Sequence, residues 1–348
     1  MINEWQNNQP TTLHCIDKWQ ETSDTFSFKL ASNQSDPNGQ EPLTFDFKPG
    51  QFVSLGFELA GKMEYRAYSI SSTPAEHFLQ LTVKRVDGGL VSNHMIDNFN
   101  VGDEVAVLAP TGPFNSVDCV PKSKVALLSA GCGITPVISM AKTWLKEQAN
   151  IEITFIHMAK SSEQTIYFDE LETLHALYPN FNLRLLLKDN TATTHPQGRL
   201  DKEWLSALCP DLCERTVYLC GPTQFMQDME QNALALGVEP SQFHQESFTP
   251  IEAHTENSGG GAVQFEVPAF GVATQVEQGA TLADVLEENG VPIIIACRSG
   301  MCGSCKCKVT KGEVSRTSTE TLTEEELAQG YTLACSSQIQ SDVEVSLT

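Results

Sequence analysis

Cations are what this chain has least of. It holds 22 Lys and Arg against 44 Asp and Glu, a formal net charge of −22 over 348 residues. Nucleic acid and anionic lipid would be repelled by that charge, so neither a nucleic-acid nor a membrane partner is expected. Long apolar runs are also missing. The longest, Val291 to Cys297, is short enough for a buried strand and far below the roughly 18 residues that a membrane span needs. Met1-Ile2-Asn3-Glu4-Trp5 lacks the basic and apolar regions of a signal peptide. No internal repeat, general acid–base pair or metal-hydrolase motif stands out. Cysteine is plentiful, but no disulfide framework is. Seven of the eleven (Cys15, Cys119, Cys132, Cys209, Cys213, Cys220 and Cys307) have no framework spacing. That usage argues against a secreted scaffold, and a cytoplasmic protein with free thiols is the expectation. The length suggests two or three domains.

The other four cysteines carry the strongest pattern. Cys297-Arg298-Ser299-Gly300-Met301-Cys302-Gly303-Ser304-Cys305 reads C-x4-C-x2-C, and Cys335 adds a distant fourth thiol. This is the ligand spacing of a plant-type [2Fe–2S] cluster. Gly300 and Gly303 suit a loop that must wind tightly and bring backbone N–H groups to sulfur. The alternative is a zinc knuckle on Cys302 and Cys305. Structural zinc usually pairs two such units, and no second pair follows Cys335.

Upstream, residues 8–120 read as β-rich. Thr25–Leu30 and Leu79–Lys84 alternate at period two, as half-buried strands do. Turn signals at Asp36-Pro37-Asn38-Gly39 and Lys48-Pro49-Gly50 separate short strands, which suggests a small antiparallel barrel. In Arg66-Ala67-Tyr68-Ser69-Ile70-Ser71, Arg66 offers a fork for phosphate and Tyr68 a face for ring stacking. Two apart on a strand, they share a face. A surface strand with a stray arginine fits the same residues. Gly88-Gly89 opens a short helix with Ser92 in its first turn, a weak anion-site signal on its own.

Residues 121–248 alternate strands and helices, the pattern of a parallel α/β sheet. The run Lys124–Ala130 enters Gly131-Cys132-Gly133-Ile134-Thr135-Pro136 and then a helix around Met140–Lys146, a strand–glycine turn–helix arrangement that cradles phosphate. Strands at Ile151–His157, Asn182–Leu187 and Thr216–Cys220 follow, the last ending in Cys220-Gly221-Pro222. Cys220 serves equally well as a small buried hydrophobe. Residues 249–261 end in Ser258-Gly259-Gly260-Gly261 and read as a linker. Residues 262–348 form one further unit, with strands near Val263–Val267 and Ala273–Glu277, a helix near Leu282–Asn289, and Thr323 capping a helix that starts with Glu324-Glu325-Glu326. Acids crowd this unit. They serve solubility, or else steer a basic docking site on a partner.

Taken in order, the R-x-Y-S-x-S stretch (Arg66–Ser71), the G-x-G-x-x-P turn with its downstream Cys-Gly-Pro, and the four-cysteine pattern resemble the ferredoxin–NADP⁺ reductase superfamily, in its variety with a C-terminal plant-type ferredoxin domain. The likeness covers nearly the whole chain. It extends to Ala130–Pro136 and Thr321–Thr323, as in the reductases that serve hybrid-cluster proteins. The resemblance implies a multidomain fold: an antiparallel β-barrel flavin domain, an α/β parallel-sheet nucleotide domain and a β-grasp ferredoxin domain. It implies FAD, which the residues alone do not separate from FMN, together with a [2Fe–2S] cluster on Cys297, Cys302, Cys305 and Cys335, and NADH.

The roles it implies are as follows. Arg66 pairs with the flavin pyrophosphate, Tyr68 stacks on the isoalloxazine, Ser69 bonds near the reactive nitrogen, and Ser71 completes the motif. Lys84 and Val86 line the flavin, with Gly89 and Ser92 at its phosphates. Gly131, Gly133 and Thr135 hold the nicotinamide nucleotide, Cys220 and Gly221 lie beside the nicotinamide, and Glu246 and Phe248 close over the flavin. Lys160 beside Glu163 leans toward NADH over NADPH. The expected function is a monomeric NADH-dependent reductase passing electrons to a protein acceptor, a hybrid-cluster protein. The alternatives are the reductase component of a Rieske-type or di-iron oxygenase, and a flavoprotein fused to a zinc-bearing interaction module.

Overall fold

In the computed structural model, residues 5, 9–33, 44–147, 150–191, 193–248 and 261–347 are described. The expected turn at Asp36–Gly39 and residues 249–260 of the expected linker lie outside them. Contacts sort the chain into two compact units, 1–57 with 68–248, and 58–67 with 249–348. Among the described residues no helix is long and apolar enough to cross a membrane.

Alternating apolar residues build a six-stranded antiparallel sheet from β1 (Thr11–Thr22), β2 (Thr25–Ala31), β3 (Phe52–Leu59), β4 (Lys62–Ser69), β5 (Leu79–Lys84) and β6 (Glu104–Thr111), in the order β4-β3-β6-β1-β2-β5. A bridge between Ile70, just past β4, and Leu81 on β5 joins its two edges into a barrel. Helix α1 (Leu90–Asn98) follows β5. The Lys18 ammonium caps its C-terminal end, donating to the carbonyls of Ile96 at 2.8 Å and Phe99 at 2.7 Å. A cation there satisfies orphan carbonyls and complements the helix dipole.

The next stretch forms a five-stranded parallel sheet from β7 (Lys124–Ala130), β8 (Glu152–Ala159), β9 (Phe181–Leu187), β10 (Thr216–Cys220) and β11 (Phe243–Glu246), ordered β11-β10-β7-β8-β9. Its helices are α2 (Ile134–Lys146), α3 (Phe168–Leu177), α4 (Lys202–Leu208) and α5 (Thr223–Ala235). A core of Leu127, Phe155, Leu185, Val137 and Ala141 fills one face, and Leu128, Ile156, Leu219 and Met229 fill the other. Covered on both faces, β7 and β10 are buried end to end apart from Lys124, as parallel strands require.

β5 departs from the half-buried strand expected of its alternation. Leu79, Leu81 and Val83 face the barrel core, yet Gln80 and Thr82 are buried as well. The parallel-sheet region covers that polar side. Tyr167, at the left-handed φ of 61° just before α3, donates its hydroxyl to Ser71 Oγ at 2.9 Å and also bonds Thr82. Thr82 in turn meets Ser27 at 2.7 Å. From α2, Ser139 donates to the Ser72 carbonyl at 2.7 Å.

The third sheet is mixed. It takes β12 (Ala262–Val267), β13 (Val272–Glu277), β14 (Lys306–Lys311), β16 (Tyr331–Leu333) and β18 (Val343–Ser346) in the order β13-β12-β18-β14-β16, with β15 (Val314–Arg316) and β17 (Ser337–Ile339) as a separate pair. Helix α6 (Leu282–Glu288) packs Leu282, Val285 and Leu286 into its core. Helix α7 (Glu324–Ala328) starts with the expected capping box of Thr323 and Glu326. Val291–Ala296 is not the strand its composition allowed. It is buried in part but irregular, with a tight Ile293 N–H to Val291 carbonyl bond at 2.8 Å. The chain there is turning into the cysteine loop and leaves no edge for a ladder.

Tyr167→Phe tests the seam on β5. Removing a hydroxyl shared by two buried partners should cost about 1–2 kcal/mol. Calorimetry should show the melting temperature falling by a few degrees. An unchanged transition would mean that the hydroxyl contributes nothing.

Candidate functional site

In parallel sheets, ligands gather at the carboxyl ends of strands. Here the two glycine turns after β7 and β10 come together there. Residues 131–133 form a single tight turn leading into α2. A Cβ on Gly133 would collide with the Cys220 carbonyl and lie 2.6 Å from the Gly221 nitrogen, so only glycine fits. Thr135 is buried and donates its hydroxyl to the Cys132 carbonyl at 2.9 Å, closing the same turn.

At or near the strand ends, the register aligns Glu246, Cys220, Ser129 and His157 on neighbouring strands. All four are buried. Ser129 Oγ and His157 Nδ1 lie 2.8 Å apart. Burial lowers the His157 pKa to about 3, so its imidazole is neutral. Cys220 is driven well above the usual thiol range, first by burial and then by the neighbouring Glu246. Among the described residues neither carboxyl oxygen of Glu246 has a hydrogen-bond partner, and burial raises its pKa to about 8. The resemblance singled out Cys220 and Glu246 but not Ser129 and His157, whose only signal was their place near strand ends.

Beside these turns lies a cavity of about 440 Å³, with Gly131, Pro222 and Phe225 in its wall. Its charged lining comprises Asp24, Lys84, Lys160, Lys188, Arg199 and Asp228. Glu163 is absent from this wall and lines a second cavity with Trp19 and Glu21. Its carboxylate is held by Ser161 and Ser162, next to Lys160 in the chain, and feels the charge of Asp189. Lys188, Arg199 and Asp228 were not singled out from sequence, because nothing near them in the chain forms a motif.

On β4, Arg66 and Tyr68 share one side, both half-buried. Arg66 donates to the Tyr65 carbonyl at 2.6 Å and pairs with Glu64 at 3.3 Å. Ser69 is buried at the end of the strand. Ser71 is wholly buried, with its hydroxyl donated to the Gln80 carbonyl at 3.0 Å. Lys84 pairs with Asp24 at 3.3 Å. Val86 is exposed, its carbonyl accepting from Gly89 N–H at 2.9 Å, and Ser92 is buried in the first turn of α1. Phe248 closes its segment 47% exposed.

The four cysteines of the pattern converge. Cys305 and Cys335 sulfurs lie 3.3 Å apart, and Cys297 lies close enough to Cys302 and Cys335 for their thiols to lower its pKa. Those thiols, with the Ser299 amide 3.4 Å from its sulfur, hold Cys297 well below the usual thiol range. The Cys335 amide points at Cys305 sulfur at 3.5 Å. Gly300 has φ +73° and a Cβ there would meet Ser318 at 2.6 Å. Arg298, at φ +54°, ties the loop to α6 through Asp284 at 2.9 Å and through Glu287. Clustered sulfurs with backbone N–H groups aimed at them fit an iron–sulfur cluster. Cys307 stands apart, wholly buried in the core of the third sheet.

Comparison with known proteins gives the same three parts. Residues 13–116 match the oxidoreductase FAD-binding domain, 127–231 the oxidoreductase NAD-binding domain, and 266–340 the 2Fe-2S iron-sulfur cluster binding domain. Over 358 residues the chain is 36% identical to the glycine betaine monooxygenase reductase subunit of Pseudomonas aeruginosa, covering 97% of this chain and 95% of that one. The chain belongs to the ferredoxin–NADP⁺ reductase family of flavin reductases, with a C-terminal [2Fe–2S] ferredoxin domain. It is also 35% identical over 325 residues to NADH oxidoreductase HCR of Escherichia coli, covering 93% and 94% of the two chains. The solved phthalate dioxygenase reductase superposes with a TM-score of 0.62 at 23% identity over 97% of each chain, which shows a shared fold. This reductase is thus an oxidoreductase of FAD, a nicotinamide nucleotide and a [2Fe–2S] cluster, and the zinc alternative falls away. The unpartnered carboxyl of Glu246, held at the ligand-bearing edge of the sheet, fits a site that a hydrogen-bonding cofactor completes.

Glu246 also sets a pH dependence. Its folded pKa of about 8 stands above its ordinary 4.5, so between those values the folded chain holds a proton that the unfolded chain has released. Stability of the unliganded reductase should therefore fall as pH rises through that window. Glu246→Gln should flatten the slope. Denaturant midpoints at pH 5 and pH 8 that change equally in both proteins would refute it.

Proposed function

We propose that this chain is the reductase component of an oxygenase system, delivering electrons from a reduced nicotinamide nucleotide to an oxygenase partner. The observation that carries this reading is the end-to-end likeness to a monooxygenase reductase subunit, 36% identical over 97% of this chain. The expected hybrid-cluster acceptor is the second reading, favoured by the 35% identity to NADH oxidoreductase HCR. In either reading residues 8–120 form the flavin domain, 121–248 the nucleotide domain, 249–261 the linker and 262–348 the ferredoxin domain.

Bound FAD supplies the change from a two-electron hydride donor to single electrons, and the cluster carries one electron at a time. The chain's part is binding and orientation. Arg66 offers a guanidinium fork to the flavin pyrophosphate, with Gly89 and Ser92 at the phosphates and α1 held in place by Lys18. Tyr68 gives a stacking face, Ser69 and Ser71 continue the strand, and Lys84 and Val86 line the flavin. Gly131, Gly133 and Thr135 shape the turn for the nicotinamide nucleotide, and Cys220 and Gly221 bound its reactive end. Glu246 and Phe248 form the remaining side, where a neutral Glu246 can donate a hydrogen bond without placing a charge beside the flavin. Cys297, Cys302, Cys305 and Cys335 hold the cluster.

Cys302→Ser separates the steps. A hydroxyl is a poor cluster ligand, so the variant should lose its cluster absorbance and nearly all reduction of the protein acceptor. NADH-driven reduction of ferricyanide should continue. Cys307→Ala is the control, because a serine at that wholly buried position would place a hydroxyl in the core. Near wild-type transfer by Cys302→Ser would take the cluster off the path. To choose the acceptor, the reductase is supplied in turn with an oxygenase component and a hybrid-cluster protein, and the oxygenase should be reduced faster. The reverse order would overturn the proposal.

A further inference from the structure

The second cavity, of about 590 Å³, opens where β1 and β5 of the barrel face the segment that leads into α3. It shares no lining residue with the cavity beside the glycine turns. Four carboxylates line it, Glu21, Glu163, Asp169 and Glu170, and no Lys or Arg does. Among the described residues only Glu170 is matched by a cation, the Lys142 ammonium at 3.0 Å. Glu21 is held by neutral donors, Trp19 Nε1 at 2.7 Å and the Ser27 hydroxyl at 2.6 Å, and Glu163 by Ser161 and Ser162. Their charges stay uncompensated. Asp169 and Glu170 also stand in the first turn of α3, where carboxylates suit the helix dipole, so the acids alone do not call for a ligand.

Gln80 does. It lines the same cavity from β5 and is only 7% exposed. Its backbone is engaged, with the N–H on Ser72 Oγ at 3.0 Å and the carbonyl accepting from the Ser71 amide at 2.8 Å and hydroxyl at 3.0 Å. Its side-chain amide has no hydrogen-bond partner among the described residues. Lys29, the cross-strand neighbour, turns its ammonium elsewhere. That ammonium lies 5.1 Å from the Trp19 ring centre and 4.8 Å from that of Phe78, with Asp17 at 3.7 Å. A buried amide without a partner is unfavourable, and this one faces a space in which a ligand can supply the partner.

We infer that this cavity binds a linear aliphatic polyamine. Among the described residues no three of its carboxylates gather closely enough to hold one metal ion, so a compact divalent cation does not answer them. An amine whose ammonium groups are separated by methylenes does. Trp19 and Phe168 offer it aromatic surface, on which both methylenes and ammonium groups rest favourably. The Gln80 amide oxygen accepts an N–H, and Glu21, Glu163 and Asp169 meet the charges. The Lys29 ammonium already over the Trp19 ring is a cation of the same chemistry in the same neighbourhood. The inference depends neither on the nicotinamide site nor on the identity of the protein acceptor.

The test is titration calorimetry on the full-length holoprotein at physiological salt, with spermidine as the probe. Spermidine should bind saturably, one per chain, and about tenfold more tightly than butylamine, which carries a single charge. Gln80→Leu keeps the charge of the cavity and removes only the amide. It should weaken spermidine about tenfold, while the melting temperature of the free protein stays level or rises because an unpaired buried polar group is gone. Asp169→Asn should weaken spermidine about threefold. Glu324→Gln, an equal loss of charge on α7, should leave it unchanged. Equal weakening by Glu324→Gln and Asp169→Asn would reduce the effect to the net charge of the chain and overturn the inference. So would full binding by Gln80→Leu, or a large drop in that variant's melting temperature, which would give the amide a partner inside the protein. Displacement of spermidine by an equal concentration of magnesium chloride, or the absence of saturable binding, would overturn it as well.

Discussion

The site depends on the approach of two backbone turns at Gly133. With no side chain there, the turn after β7 seats directly against the Cys220 carbonyl and the Gly221 amide after β10. Any larger residue would force the strand ends apart. Because the sheet is parallel, all its carboxyl ends lie on one edge, and this contact closes that edge between β7 and β10. The polar row from Glu246 to His157 sits just beneath it. These polar groups are buried because the sheet is covered on both faces, which explains why Cys220, Glu246 and His157 are all pushed toward their neutral forms.

The barrel and the parallel sheet meet over β5, a strand whose polar side would otherwise face water. Tyr167, Thr82, Ser71 and Ser27 exchange hydrogen bonds there, so burying these hydroxyls leaves no donor unpaired. The same neighbourhood contributes Asp24 and Lys84 to the cavity beside the glycine turns. Barrel and sheet therefore build one cleft between them. Electrostatics inside it runs against the whole. A net charge of −22 disfavours anions at long range, but screening limits that field to about 8 Å at physiological salt. Within that distance the cations of the cavity wall decide.

The relatives match this chain end to end and differ in what their names say they serve. That division has a physical basis. Cofactor-binding turns and the cysteine loop admit few solutions and recur as short motifs. A docking surface is assembled from exposed side chains on many elements and leaves no local spacing behind.

The local motifs were legible in the sequence for the same reason. The four cysteines, the capping box at Thr323 and Glu326, and the strand–glycine turn–helix at Gly131–Gly133 each depend on residues held at fixed spacing by nearby backbone, apart from the distant Cys335. Three successive patterns of apolar periodicity likewise marked the barrel, the parallel sheet and the last unit. What only the tertiary structure decided was everything set by strand order and cover. Composition left Val291–Ala296 free to be a strand, but its packing beside the cysteine loop made it irregular. Period-two alternation marked β5 as half-buried, and the parallel-sheet region buried its other side. Sequence proximity put Glu163 near Lys160, and the fold brought Lys188 alongside from the next strand. A side chain's neighbours across a sheet come from segments far apart in the chain, so no window of sequence contains them.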